Sequence, residues 1–225
     1  MTFQTTPEKG RLITFEGGEG VGKSTQLARL AEHLRECGFE VVTTREPGGT
    51  PKAEKLRAFL LSGRAAPLGP LAEAALFSAA RADHVEALIA PALKRGAWVL
   101  CDRFADSTRA YQGARGGVDS KTLALLERAA VGDTRSDLTI ILDLPAREGL
   151  ARAASRRDSP HEVDRFESEE PDFHEELRQA FLAIAEGEPE RCCVIDAAMS
   201  VDDVARAVRA LVHDRFFAHA AQAAQ

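Results

Sequence analysis

A glycine-rich stretch near the amino terminus carries the clearest chemistry in this sequence. Residues 17–24 read GGEGVGKS, which fits the spacing G-x-x-x-x-G-K-S at every fixed position. Glycines let the backbone fold around an anion with several N–H groups pointing inward, and the lysine adds a mobile positive charge. The stretch follows a predicted strand and opens a predicted helix, which is the context that such a phosphate-binding loop requires. It predicts binding of ATP or GTP.

Two side chains of this loop have distinct expected roles. Lys23 supplies positive charge for the β- and γ-phosphates and is expected to act in catalysis, whereas Ser24 supplies a hydroxyl for Mg²⁺. Backbone N–H groups are expected to hold the other phosphate oxygens. The residues expected to contact ATP or GTP are Gly17, Gly18, Glu19, Gly20, Val21, Gly22, Lys23, Ser24 and Thr25.

A second motif separates the protein classes that share such a loop. The sequence contains no N-K-x-D tetrapeptide, the guanine reader of GTPases. The apolar run at 99–101 ends in Asp102-Arg103 and not in the Asp-Glu typical of ATPase motors. Ligands bind at the carboxyl ends of strands in open α/β sheets, so Asp102 is expected to help hold Mg²⁺ and Arg103 to contact a second phosphate. A surface ion pair is the alternative for this dipeptide.

Five further blocks of sequence carry a family resemblance. They are TREPGGT at 44–50, LFSAAR at 76–81, LCDRFADSTRAYQ at 100–112, SDLT at 136–139 and DRFE at 164–167. Together with the glycine-rich loop, they resemble thymidylate kinases of the bacterial type, a family of nucleoside monophosphate kinases, over about residues 12–210. Several spaced motifs in the right order are more specific than any one of them.

The resemblance implies roles around the acceptor nucleoside. Phe77 and Arg81 are four residues apart on a predicted helix and share one face of it. By the resemblance, Phe77 stacks on thymine and Arg81 donates to its exocyclic oxygen. From the residues alone, they would be a core ring and a solvated arginine. The resemblance also implies that Tyr111 fills the space beside a sugar that lacks its 2′ hydroxyl. The set implied to bind dTMP is Glu19, Arg45, Phe77, Arg81, Arg103, Ser107, Thr108, Tyr111 and Gln112.

Roles around the phosphates follow in the same way. Arg103 clamps the monophosphate and acts in catalysis, since a planar fork suits phosphate oxygens. Arg45 adds a further contact, and the peptide bond before Pro47 is expected to be cis. Glu19 contacts the sugar hydroxyl of the acceptor or its hydration. Gly20 stands where one branch of the family has an arginine. The positive charge that this arginine supplies must therefore come from another part of the chain.

The arginine-rich segment 152–167, RAASRRDSPHEVDRFE, offers this charge. It is dense in charge and poor in apolar residues, and it is either a solvated loop or a mobile lid that closes over the phosphates. Arg152 and Arg156 are one helical turn apart, so both can face the phosphates on closure. We expect these two to act in catalysis as arginine fingers in cis, with Arg157 as a further candidate.

The implied reaction transfers the γ-phosphoryl group of MgATP to dTMP, giving dTDP and ADP, in dTTP biosynthesis. No covalent nucleophile is needed, because the acceptor phosphate oxygen is already anionic at pH 7. Two alternatives stay open: a kinase for another (deoxy)nucleotide or nucleoside, and a non-catalytic ATP-binding switch. The resemblance also implies a homodimer through the long helix predicted at 71–94. Its small residues permit close packing, with burial inside the chain as the alternative: Ala72, Ala75, Ala79 and Ala80.

The composition limits the class of protein and the number of domains that can position these residues. The 225 residues are 44% hydrophobic and carry a formal net charge of −6, values typical of a water-soluble globular protein of about one domain. This balance argues against a nucleic-acid partner, and no apolar run is long enough for a membrane. The amino terminus has no signal-peptide pattern, so we expect a cytoplasmic protein. The cysteines have no metal-ligand spacing, and Cys37 and Cys101 are expected to be buried.

Short apolar runs alternate with segments of helical period, the pattern of a parallel sheet covered on both faces. The strands are predicted at 12–16, 41–44, 98–101, 138–142 and 193–195, and the helices at 23–37, 51–61, 71–94, 120–131, 146–156, 171–186 and 201–219. We therefore expect one α/β domain over 1–225, a five-stranded parallel sheet in a P-loop NTPase-type three-layer sandwich with a mobile lid. Residues 218–225 are expected to be a frayed helix end.

Overall fold

The computed structural model describes residues 10–155, 165–166 and 169–217. Within them, five strands form one sheet in the order β2-β3-β1-β4-β5, and every neighbouring pair is parallel. The strands are β1 Leu12–Glu16, β2 Val41–Arg45, β3 Trp98–Asp102, β4 Leu138–Asp143 and β5 Cys192–Asp196. The predicted α/β fold with a five-stranded parallel sheet is confirmed, and each strand end lies within one residue of its predicted position.

Helices connect the strands and cover both faces of the sheet. The α-helices are α1 Lys23–Glu36, α2 Pro51–Leu61, α3 Pro70–His84, α4 Ala90–Lys94, α5 Ala105–Thr108, α6 Ser120–Val131, α7 Ala146–Ser155, α8 Pro171–Gly187 and α9 Val201–Phe216. Two π-helical segments, Val85–Ile89 and Arg109–Arg115, join α3 to α4 and extend α5.

Alternation along the strands divides the core between the two faces. In β1, Ile13 and Phe15 pack with α1 and α9, whereas Leu12 packs with the helices of the opposite face. In β4, Ile140 faces the α1 and α9 layer and Ile141 packs against α8. The result is the expected three-layer arrangement of helices, sheet and helices, with the carboxyl ends of the strands at one edge.

Two predictions of local structure are wrong in detail, and one helical stretch was missed. The helix predicted at 71–94 widens into the π-helical segment directly before Pro91, whose ring has no N–H for an i→i−4 bond. The helical stretch over 105–115 was not predicted, because Gly113 within it and the two glycines that follow it indicate turns. Cys37 is exposed and not buried, since it follows the last residue of α1, whereas Cys101 in β3 is buried as predicted.

No helix in the described ranges is long and apolar enough to cross a membrane.

Candidate active site

The glycine-rich loop runs from the end of β1 to the start of α1, as predicted. Lys23 folds back over the loop, and its Nζ donates hydrogen bonds to the carbonyl oxygens of Gly18 at 2.7 Å and Gly17 at 3.2 Å. Burial lowers the pKa of Lys23, and the nearby charge of Arg103 acts in the same direction. The loop thus holds its lysine ready over the concave side, where anionic oxygens can replace the carbonyls.

Gly20 is the position where this loop meets helix α7. Its φ is +70°, and a Cβ built there would lie 1.8 Å from the carbonyl oxygen of Gly149. A Cβ on Gly149 would in turn lie 2.3 Å from the carbonyl oxygen of Glu19. The loop and α7 are therefore in backbone contact through two glycines, and an arginine at position 20 would require α7 to move.

Ser24 and Asp102 meet at the carboxyl edge of the sheet. The hydroxyl of Ser24 donates to Asp102 Oδ2 at 2.5 Å. A hydroxyl and a carboxylate are hard oxygen ligands of the kind that Mg²⁺ prefers, and it usually takes only one or two carboxylates beside phosphate oxygens and water. These two side chains fit such an ion. Among the described residues, no group of three or more His, Cys, Asp and Glu side chains could hold a metal by itself.

Arg103 directly follows this aspartate and has a positive φ of 68°. Its guanidinium donates to the Gly17 carbonyl oxygen at 3.1 Å, to Ser107 Oγ at 3.2 Å and to Glu19 Oε1 at 2.5 Å. The guanidinium carbon also lies 5.3 Å from the centre of the Tyr111 ring. The unusual backbone angle thus turns this arginine toward the phosphate loop.

Glu19 is the acidic residue inside the phosphate loop. Burial alone would raise the pKa of its carboxyl, but the charges of Arg103 and Lys23, with the Tyr111 hydroxyl at 3.2 Å, lower that pKa to about 2. Glu19 therefore stays ionised at neutral pH. It fixes Arg103 in position from inside the loop.

One cavity of about 290 Å³ joins the phosphate loop to the acceptor residues predicted from the sequence. Ser107, Thr108, Tyr111 and Gln112 reach it from α5 and the π-helical segment that continues α5. The predicted residues that line it are Glu19, Gly20, Gly22, Lys23, Ser24, Arg45, Phe77, Arg81, Asp102, Arg103, Ser107, Thr108, Tyr111 and Gln112. The remaining residues of the loop, Gly17, Gly18, Val21 and Thr25, belong to its backbone and to the first turn of α1.

The far end of this cavity contains Phe77 and Arg81, both on α3. Arg81 is only 3% exposed; its Nε donates to Glu46 Oε2 at 2.6 Å, and its Nη2 donates to the Phe104 carbonyl oxygen at 2.9 Å and to Thr108 Oγ1 at 3.1 Å. It is therefore a buried, fixed donor and not a solvated side chain.

Arg45 reaches the same cavity from the end of β2. Its side chain is 55% exposed and pairs with Glu54 at 3.1 Å. The Glu46–Pro47 peptide bond is cis, as expected.

The geometry agrees with comparisons to known proteins. A family model of thymidylate kinase matches residues 15–208. A thymidylate kinase of Bradyrhizobium diazoefficiens is 54% identical over 94% of this chain and 92% of its own length, and one of Nitrobacter winogradskyi is 54% identical over 94% of both chains. The chain belongs to the thymidylate kinase family. A crystal structure of thymidylate kinase from Ehrlichia chaffeensis is similar over 91% of this chain and 98% of that one, with 34% identity and a TM-score of 0.72.

The segment expected to be the lid of this thymidylate kinase family member is described only in part. Arg152, on α7, donates from Nη1 to the carbonyl oxygen of Ala197 at 2.8 Å and is not among the residues lining the cavity. Arg156 and Arg157 lie outside the described residues, as does 218–225. The catalytic roles of Arg152 and Arg156 therefore stay predictions.

Several lining residues were missed by sequence reasoning. Phe166 closes the cavity beside Phe77, with ring centres 6.2 Å apart. Glu46, which holds Arg81, lies inside the TREPGGT block. Glu46 directly follows an arginine in a motif of this kinase family, and that placement is the sequence signal that could have identified it as a site residue. The others are Pro47, Arg57, Leu61 and Phe104.

Proposed function

We propose that this cavity transfers the γ-phosphoryl group of ATP to the phosphate of dTMP, giving ADP and dTDP. As a member of the thymidylate kinase family, the protein is an ATP-dependent phosphotransferase of nucleotide biosynthesis. The observation that carries the assignment is one continuous cavity with a phosphate loop at one end and an aromatic ring beside a buried arginine at the other. These are the two ends that a donor triphosphate and a pyrimidine monophosphate require.

Catalysis in this site is alignment and charge stabilisation. The acceptor oxygen is already anionic, so no side chain has to remove a proton from it. Lys23 and Arg103 are both held at the loop by carbonyl oxygens, from which they can turn to phosphate oxygens at low cost. Because Glu19 and Ser107 also hold Arg103, its guanidinium is in place before substrate binds.

We include Mg²⁺ in this proposal. Ser24 and Asp102 would hold it, and when bound it would neutralise negative charge on the phosphates. The hydrogen bond between these two side chains keeps both oxygens at the same edge of the cavity.

Recognition of the acceptor base rests on α3 and on the π-helical segment that continues α5. Phe77 offers a ring for stacking, and Arg81 offers donors to a carbonyl oxygen. Gln112, which is 2% exposed, offers a buried amide in the same cavity. Tyr111 occupies the space between the base end and the loop. A pyrimidine with a carbonyl oxygen on the edge that faces Arg81 can be bound by these side chains.

We also propose that the protein is a cytoplasmic homodimer. Leu71 on α3 and Leu125 on α6 are 55% and 59% exposed, and Ala75 and Ala79 of α3 are exposed as well. A second copy of the chain would cover this apolar surface. Ala80 is buried inside the chain, so it does not belong to that surface. Sedimentation of the purified protein tests this part of the proposal.

The decisive experiment is a coupled ADP-release assay with MgATP and a panel of nucleoside monophosphates and nucleosides. We expect the highest kcat/KM with dTMP. A much higher value with another acceptor would establish the alternative kinase, and ATP binding without ADP release for any acceptor would establish the non-catalytic switch.

A further inference from the structure

The guanidinium of Arg81 has one nitrogen left for the cavity. Nε and Nη2 are engaged by Glu46, Phe104 and Thr108, and the described residues provide no hydrogen-bond partner for Nη1. Arg81 lines the cavity at the end where the base is proposed to bind. Nη1 therefore supplies the donors that this arginine can offer to a ligand.

The carboxylate that holds Arg81 is itself held on its other side. Glu46 is 5% exposed; its Oε2 accepts from Arg81, and its Oε1 lies 2.9 Å from Nδ1 of His84, a residue on α3 that is fully buried. The Nε2 of His84 lies 2.7 Å from Thr44 Oγ1 on β2. Thr44, His84, Glu46 and Arg81 thus form one hydrogen-bonded chain from the sheet to the cavity.

Hydrogen-bond chemistry fixes the direction of the bond between His84 and Glu46. A carboxylate oxygen accepts, so Nδ1 of His84 donates to Glu46, while Nε2 lies within hydrogen-bond distance of the Thr44 hydroxyl. The loop after Glu46 closes over the same ring, because a Cβ on Gly49 would lie 2.4 Å from His84 Nε2 and 2.6 Å from Thr44 Oγ1. The loop therefore packs closely against the Nε2 edge of the His84 ring.

We propose that His84 is a positioning residue for base recognition, acting through Glu46 on Arg81. Without it, Glu46 keeps a single partner and can turn about its terminal torsion, and Arg81 turns with it. A donor misplaced by about 1 Å can cost about 100-fold in rate. Because Nη1 is a donor, the loss falls on bases with a carbonyl at this edge, such as thymine. A base with an amino group there, such as cytosine, has little to lose. The inference rests on the proposed function, since it takes dTMP as the acceptor.

The test compares kcat/KM for dTMP and dCMP in matched variants of His84. In His84→Asn, the amide nitrogen stands near the position of Nδ1 and can still donate to Glu46. In His84→Gln, the amide nitrogen reaches the position of Nε2 and leaves Glu46 without its second donor. We expect H84Q to lower kcat/KM for dTMP by about 10- to 100-fold, mainly through KM, and the dTMP/dCMP ratio by about 10-fold. H84N is expected to keep the ratio near that of the wild type.

A second background separates positioning from general packing. If His84 acts through Glu46, H84Q added to Glu46→Gln leaves the dTMP/dCMP ratio of E46Q unchanged. If H84Q does not fold, Thr44→Val provides a milder variant with the hydroxyl removed, and it is expected to lower the ratio by roughly 3-fold. If H84Q or T44V lowers the Tm but leaves the dTMP/dCMP ratio unchanged, the proposed role of His84 is overturned. That outcome does not affect the proposed function. A wild-type protein that prefers another acceptor overturns the proposed function, and the wild-type assay shows this independently of any variant.

Discussion

Glu16 links the end of β1, where the phosphate loop begins, to the start of helix α5, and its substitution by glutamine tests the electrostatics of this link. Helix α5 begins after Phe104, whose side chain cannot cap it. Glu16 at the end of β1 takes that role: Oε1 accepts from the backbone N–H of Phe104 at 2.7 Å and of Ser107 at 3.3 Å, and Oε2 accepts from Ser107 Oγ at 2.6 Å. Ser107 in turn contacts Arg103.

The cost of ionising this carboxyl can be worked out from its surroundings. Complete burial, and then the charge of Asp106, raise the pKa of Glu16 from 4.5 to about 7 against the opposing charge of Arg103. The folded state therefore binds this proton more tightly than the unfolded state does. The resulting stabilisation is fully present below pH 4.5 and is lost as the pH rises through about 7. At ~1.4 kcal/mol for each pKa unit, the loss is about 3 kcal/mol.

Glu16→Gln removes this ionisation and keeps the shape of the side chain. We expect its free energy of unfolding, relative to the wild type, to rise by about 2.5 kcal/mol between pH 5 and pH 8.5, because glutamine stays neutral. Urea unfolding without nucleotides at several pH values measures it, with Glu36→Gln on the exposed side of α1 as the control. Parallel stability curves for E16Q and the wild type would refute the reasoning. A control that changes as E16Q does would refute it too.

Three other changes have defined outcomes. Gly20→Ala is expected to lower the free energy of unfolding in urea by about 2 to 3 kcal/mol more than Gly38→Ala does. Both glycines have a positive φ, but only a Cβ at Gly20 would clash with Gly149. Equal losses in the two variants contradict the contact with α7. Asp102→Asn is expected to raise the Mg²⁺ concentration for half-maximal activity by about 10-fold, and an unchanged titration contradicts the metal site. Leu71→Glu is expected to sediment as a monomer of 24.3 kDa, whereas a wild type that is already monomeric contradicts the dimer.

Local patterns account for what the sequence could predict. Apolar runs placed all five strands, and the fixed spacing of GGEGVGKS placed Lys23 and Ser24. The helical stretch at 105–115 was missed because Gly113 and the glycines that follow it indicate turns and because the residue that supports its start, Glu16, precedes Phe104 by 88 residues. From the residues alone, Arg81 is interpreted as solvated, because the residues that bury it are also distant in the sequence. Its burial depends on Glu46, which is 35 residues away, and on His84 behind that carboxylate. Single-sequence patterns do not show such distant pairings.

These pairings also explain how a protein with a net charge of −6 can hold two anionic nucleotides. Three arginines of the cavity already have a carboxylate partner: Arg103 with Glu19, Arg81 with Glu46 and Arg45 with Glu54. The exposure of the arginine side chains in these pairs is 16%, 3% and 55% in that order.

An exposed pair is weak, so Arg45 can exchange Glu54 for a phosphate at little cost. A buried pair cannot be broken without leaving an uncompensated charge, so Arg81 must keep Glu46 and can offer a ligand only its remaining nitrogen. The exposure of Arg103 lies between those of Arg45 and Arg81. Its guanidinium donates to a carbonyl oxygen and to Ser107 as well as to the carboxylate of Glu19. The acidic residues of this site thus do not oppose anion binding. Under the proposed function, they determine which arginine is free to bind phosphate and which one is fixed to recognise a base.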